Sequence, residues 1–182
     1  MGCAHYRDLS TTYYLEKHLG WSGIGVDALA EYRPEYEKER PHTKFCNFIV
    51  TDHSDTQESI YRVRRMRELS STSLEYAKKE SKGSGRYDEL HAPTITLNEL
   101  LRQHGISKLD FLSMDIEDSE PQALTGFDIQ QFEPELVCIE AHPAVQQPIL
   151  DYFTKNGYER IEKYQKYDSL NWYFKPKDSL KK

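Results

Sequence analysis

The stretch Gly20-Trp21-Ser22-Gly23-Ile24-Gly25-Val26-Asp27 decides the fold. Gly20 stops a helix, Trp21-Ser22-Gly23 makes a turn, and Ile24-Gly25-Val26 is a short apolar run. Such a run reads as a buried strand, with Asp27 as an acid at its C-terminal tip. An acid at the tip of a strand that follows a glycine-containing loop and a helix is the ribose-binding acid of nucleotide-type cofactors. A carboxylate accepts hydrogen bonds from both ribose hydroxyls, which a neutral side chain does less well. The plain alternative for Asp27 is a helix N-cap.

Upstream, Met1-Gly2-Cys3-Ala4-His5 leads to a helix over Ser10 to Leu19, capped by Ser10 or Thr11, with Leu15 and Leu19 on one face. Backbone N–H groups of the glycine loop can face a charged ligand. The loop has no GxGxxG, so a plain N-terminal glycine is its alternative. Downstream, Tyr32 to Arg40 is a polar helix with Pro34 in its first turn, closed by Pro41. Lys44 to Thr51 is a second strand, followed by Asp52-His53. Gln57 to Val63 reads as a further strand. Ser70 to Gly85 is rich in Ser, Lys and Gly and reads as a mobile segment around a short helix. Order returns at Ala92 to Thr96, and Thr96 caps a helix through Leu97, Leu100 and Leu101 that ends near Gly105. Asp110 to Ile116 is the third strand, Pro121 to Leu124 begins a helix, and Glu135 to Ala141 is the fourth strand. Gln147 to Asn156 is a helix ended by Gly157, and Tyr158 to Tyr164 with Asn171 to Phe174 form an antiparallel pair. Strands alternating with helices predict an α/β layered sheet with a closing hairpin.

Each of the four apolar strands ends in polar groups: Asp27; Asp52 and His53; Asp115 and Glu117; Glu140 and His142. In one parallel sheet those ends share an edge, so the groups are expected to converge. Asp115 and Glu117 face one side if the strand stays extended. Their alternative is a loop in which Glu117, Asp118 and Glu120 favour the N-terminus of the next helix, the reading preferred for Asp118. Glu140 beside His142 suits an oriented general base, with a helix cap as the equal alternative. Asp115, Glu140 and His142 are also suitable hard-metal donors, but their spacing is not diagnostic and no metal is assigned.

Composition narrows the class. A chain of 182 residues is one ordinary domain. It is assigned as a domain over 1–175 with a basic tail over 176–182. A net charge of −6 argues against a general nucleic-acid binder. Cys3, Cys46 and Cys138 are too scattered for a disulfide framework, which suits a reduced, cytoplasmic setting. No apolar run approaches the roughly 18 residues of a membrane span, and no signal-peptide pattern is present. Arg62, Arg64, Arg65 and Arg67 read as a solvated face, with an anionic-substrate contact as the lesser view. Trp21, Trp172 and Tyr173 read as core.

The residues then resemble a family. Ser10 to Glu16 with Gly20 to Asp27 looks like the start of FkbM-type methyltransferases. So do Thr94 to Leu101, Leu109 to Glu117, Glu120, Ala123-Leu124, Gly126-Phe127, Glu135 to His142, and the closing Gly157-Tyr158 with Asn171 to Phe174. The resemblance implies S-adenosylmethionine as cofactor and a class I Rossmann-like sheet with helices on both faces and an antiparallel last strand. It implies Asp27 with Ala28 at the ribose, Asp52 and His53 beside the adenine, and Gly2, Cys3, Ala4, His5 and Ser10 around the methionine part. Asp115 would sit near the transferred methyl, and Asp115, Glu117, Glu140 or His142 would serve as base toward a hydroxyl of a sugar-like or natural-product-like acceptor.

Two departures stand out. The family's first strand would precede Gly2, so the sheet is expected to be truncated, the loop 2–5 unsupported and cofactor binding weak until that strand is supplied. Many family members carry Gly after the third-strand acids, where this chain has Asp118. The competing readings are a non-catalytic methyltransferase-like binding domain and another α/β nucleotide enzyme such as a dehydrogenase.

Overall fold

The computed structural model describes residues 1–82 and 86–177. The chain divides into two compact units, Met1–Val50 with Ser54–Ile95, and Thr51–His53 with Thr96–Lys182.

In the first unit, α1 (Tyr13–Leu19) starts later than the sequence pattern predicts. The Ser10 hydroxyl still accepts the Tyr13 N–H at 3.2 Å, ahead of the helix. The left-handed Gly20, φ 72°, ends α1 and returns its N–H to Glu16 O. β1 (Gly23–Asp27) runs parallel to β2 (Thr43–Asn47), with Asp27 opposite Asn47. Between them a 3-10 turn (Ala30–Tyr32) leads into α2 (Arg33–Glu39), which buries Tyr36 and packs on β2.

The single strand expected over Lys44 to Thr51 is two strands. The Asn47 amide donates to Asp27 O at 2.9 Å and to Ala28 O at 2.8 Å. The Phe48 N–H also bonds Asp27 O. These bonds draw the chain across the end of β1 and break the ladder. β3 (Ile49–Val50) instead pairs in parallel with the end of β5 (Tyr87–Ile95), which is antiparallel to β4 (Gln57–Val63). α3 (Leu74–Glu80), capped by Ser73, is the short helix expected in the Ser/Lys/Gly-rich segment; Gly83 to Gly85 lie outside the described residues. The core gathers Leu29, Tyr32, Tyr36, Phe45, Ile49, Ile60 and Ala92.

In the second unit Thr96 caps α4 (Leu97–Gln103) by accepting the Glu99 N–H at 3.1 Å. β6 (Phe111–Met114) is parallel to β7 (Leu136–Glu140). β9 (Asn171–Pro176) is antiparallel to both β7 and β8 (Tyr158–Arg160), giving the order β6-β7-β9-β8. β8 is shorter than expected because Glu162–Tyr164 turns as a 3-10 helix. β9 takes in Pro176, the first residue of the assigned tail; Asp178 to Lys182 lie outside the described residues.

The helices of this unit are α5 (Glu120–Thr125), α6 (Ile129–Phe132) and α7 (Gln146–Lys155). Phe153 of α7 stacks on Phe174 of β9 at 4.1 Å. Gly126 follows α5 where a Cβ would lie 2.6 Å from Thr51 O, so only glycine fits. Trp172 is buried as expected, whereas Trp21 is exposed.

Among the described residues the strands lie in three hydrogen-bonded sheets, of two, three and four strands. No helix among the described residues is long and apolar enough to cross a membrane.

Candidate functional site

Two groups of predicted residues take shape, one in each unit. In the first, Asp27 closes β1 and its carboxylate holds two turns at once. Oδ2 accepts the Ala4 N–H and Oδ1 accepts the Leu29 N–H, each at 2.9 Å. The second bond is an Asx turn; the N-cap of the 3-10 helix that follows is Leu29, not Asp27. The first joins the strand tip to the glycine loop. Each oxygen keeps lone-pair capacity for another donor. Burial, only partly offset by these two bonds, raises the Asp27 carboxyl above the ordinary range.

The loop was expected to lack support, and it does not. The Cys3 N–H bonds Val26 O at 3.1 Å, and the Tyr36 hydroxyl donates to Cys3 O at 2.8 Å. Cys3, Ala4 and Ala28 pack on the core. Burial pushes the Cys3 thiol up to about 12, so it stays protonated and acts as packing. Gly2 and Ala4 take positive φ, 63° and 40°, which turns the loop toward β1. His5 Nδ1 accepts the Asp8 N–H at 3.0 Å, while Nε2 lies 3.5 Å from Glu35. Ser10 is committed to Tyr13 and to Arg40.

What holds this loop from behind was not legible in the sequence. Arg40, 2% exposed, and Glu16, 8% exposed, form a buried ion pair through Nε. The remaining guanidinium nitrogens donate to Tyr6 O at 2.9 Å, Thr12 Oγ1 at 3.2 Å and Thr43 Oγ1 at 3.1 Å. Burial alone would raise the Glu16 carboxyl, but hydrogen bonds from Thr43, Arg40 and the His42 N–H outweigh it and hold it below its ordinary value.

In the second unit, Met114 of β6 lies opposite Ile139 of β7, so the next residues, Asp115 and Glu140, stand side by side. Their carboxyls hydrogen-bond each other once one is protonated. Desolvation of the carboxyls raises both, although Asp115 keeps an exposed side, and for Glu140 the neighbouring Asp115, Glu117 and Glu120 raise it further, so it favours the protonated form.

Past Asp115 the chain reverses through two consecutive left-handed residues, Glu117 (φ 56°) and Asp118 (φ 72°). Non-glycine residues there cost about 1 kcal/mol or more each. Asp118 thus occupies a conformation suited to the glycine of the family pattern. The reversal brings Asp118 Oδ1 to 3.0 Å from His142 Nδ1. Asp118, directly ahead of the α5 N-cap Ser119, therefore also pairs with His142. His142 Nε2 lies 3.4 Å from Glu140 Oε1, so the ring sits between two carboxylates. With Nδ1–H donating to Asp118, Nε2 on the Glu140 side is the base position of an oriented imidazole.

Glu120, 1% exposed, accepts the Ile116 N–H on Oε1 at 2.8 Å, and burial raises its carboxyl to about 7. Sequence reasoning assigned Glu120 only to a helix N-terminus. Asp52 and His53 form a surface pair at 2.7 Å, with Gln122 also donating to Asp52. The arginine cluster is largely neutralised: Arg62 pairs with Glu31 and Asp88, Arg64 with Asp88, and Arg67 with Glu31.

A mixed α/β chain with carboxylates at the ends of parallel strands is consistent with a methyltransferase fold. Comparison with family models narrows this. Residues 3–160 match the methyltransferase FkbM domain, and the chain belongs to that family. Searches of curated proteins and of solved structures returned no match.

Proposed function

We propose that the chain is an S-adenosylmethionine-dependent methyltransferase that methylates a hydroxyl of a sugar-like or natural-product-like small molecule. The observation that carries the reading is the Ala4 N–H to Asp27 bond at 2.9 Å. It joins an acidic strand tip to a positive-φ loop in a chain that belongs to the FkbM family.

The residues fit the cofactor. Asp27 retains an acceptor position on each oxygen for the two ribose hydroxyls, and the loop Gly2 to His5 would take the methionine part. Ala28 would add to the nucleoside contacts. The class I arrangement of one sheet with helices on both faces belongs to the same proposal. When bound, the cofactor supplies an activated methyl group, so the protein's task is placement and proton removal. His142, held by Asp118, accepts the acceptor hydroxyl proton at Nε2. Glu140 lies beside it and Asp115, while Glu117 shapes the turn. A base of this kind contributes about 100- to 10,000-fold.

The test is transfer of a labelled methyl group to a panel of hydroxylated small molecules. His142→Ala is expected to lower turnover at least about 100-fold at unchanged cofactor affinity. A folded protein that binds the cofactor but methylates no hydroxyl in the panel would favour the non-catalytic binding domain.

A further inference from the structure

Two carboxylate oxygens in the second unit are buried with no hydrogen-bond donor, Glu120 Oε2 and Glu140 Oε2. Their residues are 1% and 8% exposed. A buried carboxyl oxygen without a hydrogen-bond partner is costly, and native proteins seldom keep one without a reason. Both residues belong to one cluster. One carboxylate oxygen from each of Asp115, Glu120 and Glu140 lies within 4.8 Å of the other two. Among the described residues no Lys or Arg pairs with any of the three, and His142 faces Glu140 through its other oxygen.

We propose that Asp115, Glu120 and Glu140 bind one divalent cation of the Mg²⁺ or Mn²⁺ class. Three carboxylates are a hard, all-oxygen donor set of the kind these ions take, and three protein ligands leave positions for water or an acceptor oxygen. Glu120 is pre-set for the role. The Ile116 N–H holds Oε1 at 2.8 Å and leaves Oε2 buried without a donor in a residue of the cluster. Asp115 is exposed, so the site has an open side through which an ion can enter.

A proton shared between Asp115 and Glu140 accounts for that pair alone and leaves Glu120 Oε2 without a partner. The overlapping triple Glu117, Glu140 and His142 also brings three donor atoms together. There both imidazole nitrogens already face carboxylates, and Glu120 is left out.

The site shares Asp115 and Glu140 with the methyl-transfer reading but needs no cofactor, so it is tested without one. Mn²⁺ is titrated into the full chain and the free ion is followed by electron paramagnetic resonance, with Mg²⁺ as competitor. One saturable Mn²⁺ site per chain that Mg²⁺ displaces is expected. Asp115→Asn and Glu120→Gln are each expected to weaken it at least tenfold, and His142→Gln to change it less than twofold. Asp115 is exposed, so its variant tests the site even if Glu120→Gln fails to fold. Absence of a saturable site, or binding that survives both carboxylate variants, overturns the proposal. Loss in His142→Gln with retention in Glu120→Gln moves the ion to the other triple and overturns it as well.

Discussion

Replacing Arg40 with Met removes the cation from a pair that the fold has hidden from water. Arg40 is 2% exposed, and it bonds Glu16, Tyr6 O, Thr12 and Thr43 together. Met fills most of the volume but leaves the Glu16 carboxylate buried with only Thr43 and the His42 N–H as donors. Breaking one side of a buried pair costs about 3–5 kcal/mol, well above the 0–1 kcal/mol of a surface pair. At this chain length each kcal/mol shifts the midpoint by about 2–4 °C, so a fall of about 6–20 °C is expected. Adding Glu16→Gln removes the stranded charge and should restore at least half of the loss. Urea denaturation followed by tryptophan fluorescence reads both variants. A cost below about 1 kcal/mol for Arg40→Met, or a double variant no more stable than the single one, would refute the reasoning. Because Tyr6 O hangs from Arg40, the same variant should also weaken cofactor binding through the loop.

Gly126→Ala places a methyl group 2.6 Å from the Thr51 carbonyl, in a backbone conformation any residue adopts. Sterics alone should therefore cost about 1–3 kcal/mol in thermal or urea unfolding. Asp118→Gly relieves the left-handed conformation, so stability should stay within about 1 kcal/mol of the parent. Its methyl-transfer rate should fall at least about tenfold as His142 loses its partner. The Glu16 carboxyl is held below its ordinary value of 4.5, so its contribution is full above that pH and is lost as pH falls through the folded value. Acid titration monitored by circular dichroism should show the parent losing stability below about pH 4.5 more steeply than Glu16→Gln.

Local signals made much of the fold legible. Ile24 to Asp27 reads as a strand because its apolar run is bounded by glycine and an acid, and Thr96 marks the start of α4 because its hydroxyl has a donor to cap. Where tertiary bonds override local pattern, the sequence was silent. Nothing in KFCNFIVT signals that Asn47 will turn to the end of β1 and divide the strand. α6 has only four residues and no periodicity to detect.

At the site, the strand-end acids Asp27, Asp115 and Glu140 were found by position. Which of them meet depends on the β6–β7 register, which pairs residues far apart in the chain. Asp118 and Glu120 were credited to a helix terminus because charge near α5 was the visible signal; the departure from glycine at Asp118 was the clue to the turn. Arg40 and Glu16 looked like ordinary helix-surface charges, since no sequence period separates a buried pair from two exposed ones.

The central claim is that Asp27, tied to the glycine loop, receives the ribose of S-adenosylmethionine. Isothermal titration of that cofactor into the parent chain and into Asp27→Ala, both confirmed folded by circular dichroism, tests it most directly. One saturable site in the parent, weakened by at least about tenfold in Asp27→Ala as charge-assisted hydrogen bonds are lost, is the predicted result. A folded parent that gives no saturable heat, or equal affinity in the two proteins, would contradict it.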